Sequence, residues 1–268
     1  MDFELSAEHQ AIRETARRFV DKELPRTRIL EWVRAKQEPP RELFRKLGEL
    51  GMYGFLMPPE YSGMDRTDPM GMIVFVEQLA RASSALTTAY GRAAVILGPL
   101  VANFANKQQK DMVLPKIIAG ETFMALGLTE PGSGSDAASL KTRAVKQADG
   151  SYVINGEKMW PSAAGIADLY CFVCTTDPKL KEDGLALIYV PKDTPGLSFG
   201  KPENKMGMKI SDVNAAIYLN NVRVPKSYRA GGPGVDWRMW ETDIFSCRIR
   251  PIPCPPHSWT TETPWVSA

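Results

Sequence analysis

Over roughly the first 120 residues, apolar positions recur at the 3.6-residue spacing of helices that bury one face. Ile12, Ala16, Phe19 and Val20 fall on one side of a helix that Ser6 can cap and Pro25 ends. Leu43, Phe44, Leu47 and Leu50 form a second such face. Ile73, Val74, Leu79 and Ala80 form a third, with Glu77 on its rim. Between them, "MPPEYSGMDRTDP" carries the Pro and Gly punctuation of a loop. The apolar run from Leu86 to Ala105 is interrupted by Arg92, Gly98, Pro99 and Asn103. It therefore lacks the ~18 uninterrupted apolar residues of a membrane span, and a pair of core helices is expected there.

After residue 120 the period changes. In "TRAVKQADGSYVINGEKMW" an Asp149-Gly150 turn joins two strand-like runs, and Asn155-Gly156 predicts a second tight turn directly afterwards. Further strand-like runs cover residues 168–175, 185–190 and 215–224. The expected class is α+β, with an all-α domain over residues 1–120 followed by a β domain over 121–230. The remaining residues, 231–268, are rich in Pro and Trp, and beyond Arg250 neither period persists, so an irregular tail is expected.

Composition narrows the function classes. Lys plus Arg number 33 and Asp plus Glu 31, without a basic cluster, so neither nucleic acid nor a lipid surface is an expected partner. The acidic start "MDFELSAEHQ" runs straight into a helical pattern and lacks the features of a signal peptide, which makes a cytoplasmic location the expectation. Cys171 and Cys174 form a C-x-x-C inside a strand-like run, where residues three apart point to opposite faces. With His9 and His257 the only histidines, no metal is expected.

Two stretches carry candidate chemistry. "LTEPGSGSD", Leu128 to Asp136, combines hydroxyls, a carboxylate and small residues that permit close approach of backbone to a ligand. Gly132, Gly134 and Ala137 formally match a dinucleotide fingerprint, but that motif needs a helix to follow and a β-hairpin is predicted instead. A plain turn into the first strand is the alternative. "GEKMWPSAAGIADLY", Gly156 to Tyr170, places Trp160 two positions before the hydroxyl of Ser162. A planar heteroaromatic cofactor suits that pairing, with an indole against a ring face and a hydroxyl on its polar edge; Trp160 as core packing is the other possibility.

Together with "DTPGLSFGKPENKMGMK" and "NNVRVPKSYRAGGPG", these stretches resemble the acyl-CoA dehydrogenase family of flavoproteins over about residues 1 to 234. The resemblance implies a helical domain, then a β-barrel domain, with FAD lying where the barrel meets a C-terminal four-helix bundle that is missing from this sequence. It implies a flavin-contacting segment at Leu126, Leu128, Thr129, Gly134 and Ser135, with Thr129 near the pyrimidine edge and Ser135 also near the acyl-CoA substrate. Trp160, Pro161 and Ser162 correspond to the family's W-x-T segment; Ser162 retains the hydroxyl that would bond flavin N5, and Pro161 replaces an aliphatic residue.

The implied activity is FAD-dependent α,β-dehydrogenation of an acyl-CoA thioester, impaired here by loss of the bundle and its catalytic base. The implied electron acceptor is electron-transfer flavoprotein and the implied assembly a homotetramer, which the missing bundle puts in doubt. A minority of the family places the base on the first helix of the bundle, which corresponds here to "GVDWRMWETDIFSCRIR"; Glu241 and Asp243 are the plausible acids there and neither is assigned, so the catalytic residue is unknown. A non-catalytic flavin or acyl-CoA binding fragment, or a flavin monooxygenase on the same fold, is the alternative.

Overall fold

A computed structural model of the chain describes residues 4–62, 64 and 67–230. The expectations for the tail, including Glu241 and Asp243, lie outside the described residues.

The first helix, α1 (Ala7–Glu23), starts where Ser6 Oγ accepts the His9 N–H at 3.2 Å, and it buries Ala16, Phe19 and Val20. Helices α2 (Arg26–Ala35), α3 (Arg41–Glu49), α4 (Pro59–Ser62) and α5 (Pro69–Ala82) follow. Leu43, Phe44 and Leu47 of α3 are buried, as their spacing predicts, while Leu50 is exposed. The buried face of α5 is Val74, Phe75, Gln78 and Leu79, so Ile73 and Ala80 point outward instead of into the core.

Helices α6 (Ser84–Gly91) and α7 (Gly98–Phe104) are joined by a π-helical stretch, Arg92–Leu97. The expected pair is therefore one continuous helix. The wider turn lets the Gly98 N–H bond back to Ala93 O and admits Pro99, whose ring would strike the carbonyl four residues back in a regular α turn. By length and mean hydropathy (1.3) Ser84–Phe104 could cross a membrane, but 67% of that window is buried within the protein, as befits a core helix.

Helix α8 (Lys107–Ile118) closes the helical part with an Asn106–Gln109 capping box. Beyond it the chain turns at Gly120 (φ +68°), where a Cβ would sit 2.1 Å from Phe44 O. Gly120→Ala should therefore cost about 2–3 kcal/mol, combining left-handed strain with overpacking. Gly51 (φ +73°) has nothing within 4 Å of its Cβ position, so Gly51→Ala isolates the strain alone, about 1 kcal/mol. Equal shifts of the two variants in urea unfolding would contradict the role of the Phe44 contact.

Among the described residues seven strands follow: β1 (Met124–Gly127), β2 (Arg143–Lys146), β3 (Tyr152–Lys158), β4 (Leu169–Thr175), β5 (Leu185–Pro191), β6 (Leu197–Phe199) and β7 (Ile217–Val224). Along one edge β4 pairs antiparallel with β5. Along its other edge it pairs parallel with β1 and then, at Arg143↔Thr175, with β2. The path continues antiparallel through β3, β7 and β6. This curled sheet is the expected barrel domain, its path running from β1 to β6 with β5 branching off β4.

The Asp149–Gly150 turn joins β2 to β3 as predicted. The second predicted turn is absent. Strand β3 runs through Asn155–Gly156 with a shift of register against β7, because Gly156 packs so closely on Thr142 that a Cβ would lie 2.4 Å from its Oγ1.

Alternation along β4 divides the sheet. Tyr170, Phe172 and Cys174 join the core enclosed by the sheet, while Cys171 and Val173 join the core shared with the helices. The two thiols thus face opposite sides, both buried and free. Polar contacts reinforce the apolar junction. Arg41 donates to Asp168 Oδ2 at 2.6 Å and to Ile166 O at 3.1 Å, and Gln109 Nε2 donates to the carbonyls of Ser227 and Arg229.

Candidate functional site

The loop after β1 is anchored by a residue that its composition made look ligand-directed. Glu130 is buried, and its carboxylate accepts the N–H groups of Lys141 (2.7 Å) and Thr142 (2.9 Å) and the ammonium of Lys158 (2.7 Å). Lys158, with no exposed surface, also donates to Leu128 O at 3.0 Å. Burial pushes the Glu130 carboxyl up, but Lys158 and the hydrogen bonds from Thr142 and Lys141 outweigh it and hold the group below the usual carboxylate range. Burial lowers the Lys158 ammonium, against the pull of its partner. After the loop comes only a three-residue 3₁₀ turn, Ala137–Ser139, before β2, so the dinucleotide fingerprint lacks its helix.

With the loop pinned in this way, Leu126, Leu128 and Thr129 line a cleft of about 330 Å³ together with Trp160, Pro161 and Ser162 from the segment after β3. The two segments are tied by the Met159 N–H donating to Thr129 O at 2.8 Å. The structure thus brings together six of the eight predicted site residues. Gly134 and Ser135 do not line this cleft; both are exposed on the outer part of the loop, and the space beside Gly134 is open.

Trp160 forms an unusual wall. Its backbone is left-handed (φ +59°), its side chain is 55% exposed, and its indole N–H donates to Glu203 Oε1 at 3.3 Å. A bulky residue held in that region, with much of its apolar surface uncovered beside a cleft, marks a place where something else completes the packing. Ser162 Oγ accepts from Asn214 Nδ2 at 3.3 Å, and the same amide donates to Trp160 O at 2.8 Å.

Sequence reasoning missed the other wall, formed by Thr88, Arg92 and Ile96 of the long helix, and missed Met159. Arg92 carried a readable signal: an arginine inside an apolar helix must find partners. It finds three, donating to Met124 O, Asp212 Oδ1 and Ser211 O, each at 3.1 Å. Burial lowers its pKa, opposed by Asp212 and Glu38; it remains a cation. Glu38, accepting the Ser211 N–H at 2.6 Å, is pushed up by burial.

The cleft is therefore apolar on its broad walls, with hydroxyls of Thr129, Ser162 and Thr88 and one buried cation at its margins. Its volume, at the low end for ligand pockets, suits a planar ring system and is too small to enclose a whole dinucleotide. Among the described residues lining it there is no carboxylate.

Comparison with known proteins gives the same architecture. The profile of the acyl-CoA dehydrogenase N-terminal domain matches residues 6–121, and that of the acyl-CoA dehydrogenase middle domain matches residues 125–222. The probable acyl-CoA dehydrogenase YngJ of Bacillus subtilis is 36% identical over 254 residues, covering 93% of this chain and 64% of the relative. The structure of butyryl-CoA dehydrogenase from Megasphaera elsdenii superposes with a TM-score of 0.81 at 30% identity, over 91% of this chain and 64% of that one. A glutaryl-CoA dehydrogenase from Mycobacterium smegmatis in complex with FADH2 gives 0.74 at 28% identity, over 84% and 55%. The chain spans less than two thirds of the length of these relatives. Helices followed by a curled sheet, two family domains in register and relatives at this identity lead to one assignment: the chain belongs to the acyl-CoA dehydrogenase family, of which it carries the N-terminal and middle domains.

Proposed function

We propose that the cleft between the long helix and the sheet binds the isoalloxazine edge of FAD, and that the chain serves α,β-dehydrogenation of an acyl-CoA thioester to the enoyl-CoA. The observation that carries this reading is the convergence of Leu126–Thr129 and Trp160–Ser162 on one apolar slot with a half-exposed indole and hydroxyl-bearing margins. A flat, largely apolar ring with polar edges fits these residues: Trp160 would cover a ring face, Leu126, Leu128 and Ile96 the apolar flank, and Thr129 and Ser162 the edge. The FADH2-containing relative supports the choice of cofactor. Bound there, FAD would supply the two-electron acceptor for the substrate hydride.

The protein's own contribution is positioning and exclusion of water. Gly134 and Ser135, on the open side of the loop, are proposed to meet the cofactor and thioester outside the cleft, where the rest of the dinucleotide must run. Removing the substrate α-proton needs a base. No carboxylate lines the cleft among the described residues, so the base is not assigned, and flavin and acyl-CoA binding without turnover is the second reading. Electron-transfer flavoprotein as acceptor, a homotetrameric assembly and a cytoplasmic location are further parts of the proposal that rest on the resemblance.

Reconstitution with FAD tests the reading through cofactor absorbance and quenching of flavin fluorescence. Trp160→Ala should weaken FAD binding about tenfold, equivalent to ~1.4 kcal/mol. Equal affinity of the two proteins would remove Trp160 from the site. Bleaching of the bound flavin by a panel of acyl-CoAs would then distinguish turnover from binding.

A further inference from the structure

We infer that Asn214 is a positioning residue that directs the Ser162 hydroxyl proton into the cleft. This rests on the flavin reading above. The amide orientation follows from chemistry at both of its ends. Lys205 Nζ is hydrogen-bonded to Asn214 Oδ1, and an ammonium can only donate, so that end must be the oxygen. The opposite end is therefore the NH2, which donates to Trp160 O at 2.8 Å and to Ser162 Oγ at 3.3 Å.

Lys205 is itself fixed. It donates to Asp212 O at 2.5 Å and to Asp212 Oδ2 at 3.0 Å, while Asp212 Oδ1 holds Arg92. An isolated bridge between Ser162 and Asn214 sets the backbone of the pair. Donation thus runs from Lys205 through Asn214 to Ser162, while Asp212, accepting from both Lys205 and Arg92, holds the ammonium in place.

The consequence is polarity. A serine hydroxyl has one proton to give and two lone pairs to receive. On the Asn214 side Ser162 receives, so its proton is left for an acceptor in the cleft, where Ser162 is a lining residue. In the proposed function that acceptor is a ring nitrogen of the oxidised flavin. Asn214→Asp would replace the donor with a carboxylate oxygen, keep the pairing with Lys205, and draw the Ser162 proton away from the cleft.

The test uses the full chain loaded with FAD and reads the midpoint potential and visible spectrum of the bound flavin. Asn214→Asp should shift the flavin reduction equilibrium by about tenfold, near 30 mV for a two-electron couple. In a Ser162→Ala background the same change keeps only the direct effect of the added charge on the flavin and should shift it by less than about threefold. Far-UV circular dichroism and melting confirm folding. Should Asn214→Asp fail to fold, Asn214→Ala in the same two backgrounds carries the same comparison. An unchanged potential, or an equal shift in both backgrounds, overturns the positioning role and leaves the flavin reading intact. Failure of the unaltered chain to bind FAD overturns the flavin reading, and this inference with it.

Discussion

Glu130→Ala is expected to lower the stability of the protein by about 3–5 kcal/mol, because it strands a buried cation. The Lys158 side chain has no exposed surface, and among the described residues its partners are Glu130 Oε1 and Leu128 O. Removing the carboxylate also leaves the Lys141 and Thr142 N–H groups without their acceptor. Glu130→Gln should cost less, since it keeps an acceptor oxygen for part of that set. The loss is read as the urea midpoint at constant m-value. The pH dependence provides a second check. The folded carboxyl lies below its unfolded value, so its stabilisation is fully present above the unfolded pKa of about 4.3 and disappears as the pH falls through the lower folded value. Glu130→Gln should lack that component of acid destabilisation. A drop below 1 kcal/mol for Glu130→Ala would show that Lys158 is not confined as described. Because Lys158 also holds Leu128 O, the same variant should loosen the back wall of the cleft and reduce retention of FAD.

The order of helices and strands was legible because burial on one face leaves a period in the sequence. Ser6, Pro25 and the Asp149–Gly150 turn acted locally and did what their chemistry implies. Cys171 and Cys174 on opposite faces follow from strand geometry alone. What was misread depended on partners distant in sequence. The face of α5 was misplaced because "PMGMIVFVEQLA" is apolar nearly all round, so only its packing on α1 decides that Phe75 is fully buried and Ile73 is not. Strands β1 and β6, four and three residues long, are too short to show alternation. Gly156 looked like a turn residue, and it was the closeness of Thr142 that made it part of a continuous strand.

The site divided along the same line. Its sheet wall lay in two contiguous motifs, whereas its helix wall, Thr88, Arg92 and Ile96, is spread over a helix whose π turn no local pattern announced. In the sequence Arg92 stands as an interruption of an apolar run. The interruption was the signal, since its three acceptors come from β1 and the loop before β7.

Asp212→Ala follows from that arrangement and is expected to cost about 3–5 kcal/mol, because it breaks a pair buried between the two halves of the fold. The Arg92 and Asp212 side chains are 8% and 6% exposed. Without the carboxylate, Arg92 keeps two carbonyl acceptors but, among the described residues, no contacting anion, and Lys205 loses its ion pair with Asp212 as well. Arg92→Met should be milder, since Asp212 retains Lys205, which is closer to solvent. The double variant Arg92→Met/Asp212→Leu should recover part of the loss, as replacement of a whole buried pair by apolar groups commonly does. A double-mutant cycle in urea, closed with the single variant Asp212→Leu, measures the coupling directly. If Asp212→Ala loses less than 1 kcal/mol, or if the two single effects simply add, the pair does not join the helices to the sheet. If the coupling is present, the long helix is held against the loop before β7 by charge as well as by the bonds of Arg92 to the Met124 and Ser211 carbonyls, and Asp212 helps to fix the Arg92 wall of the cleft.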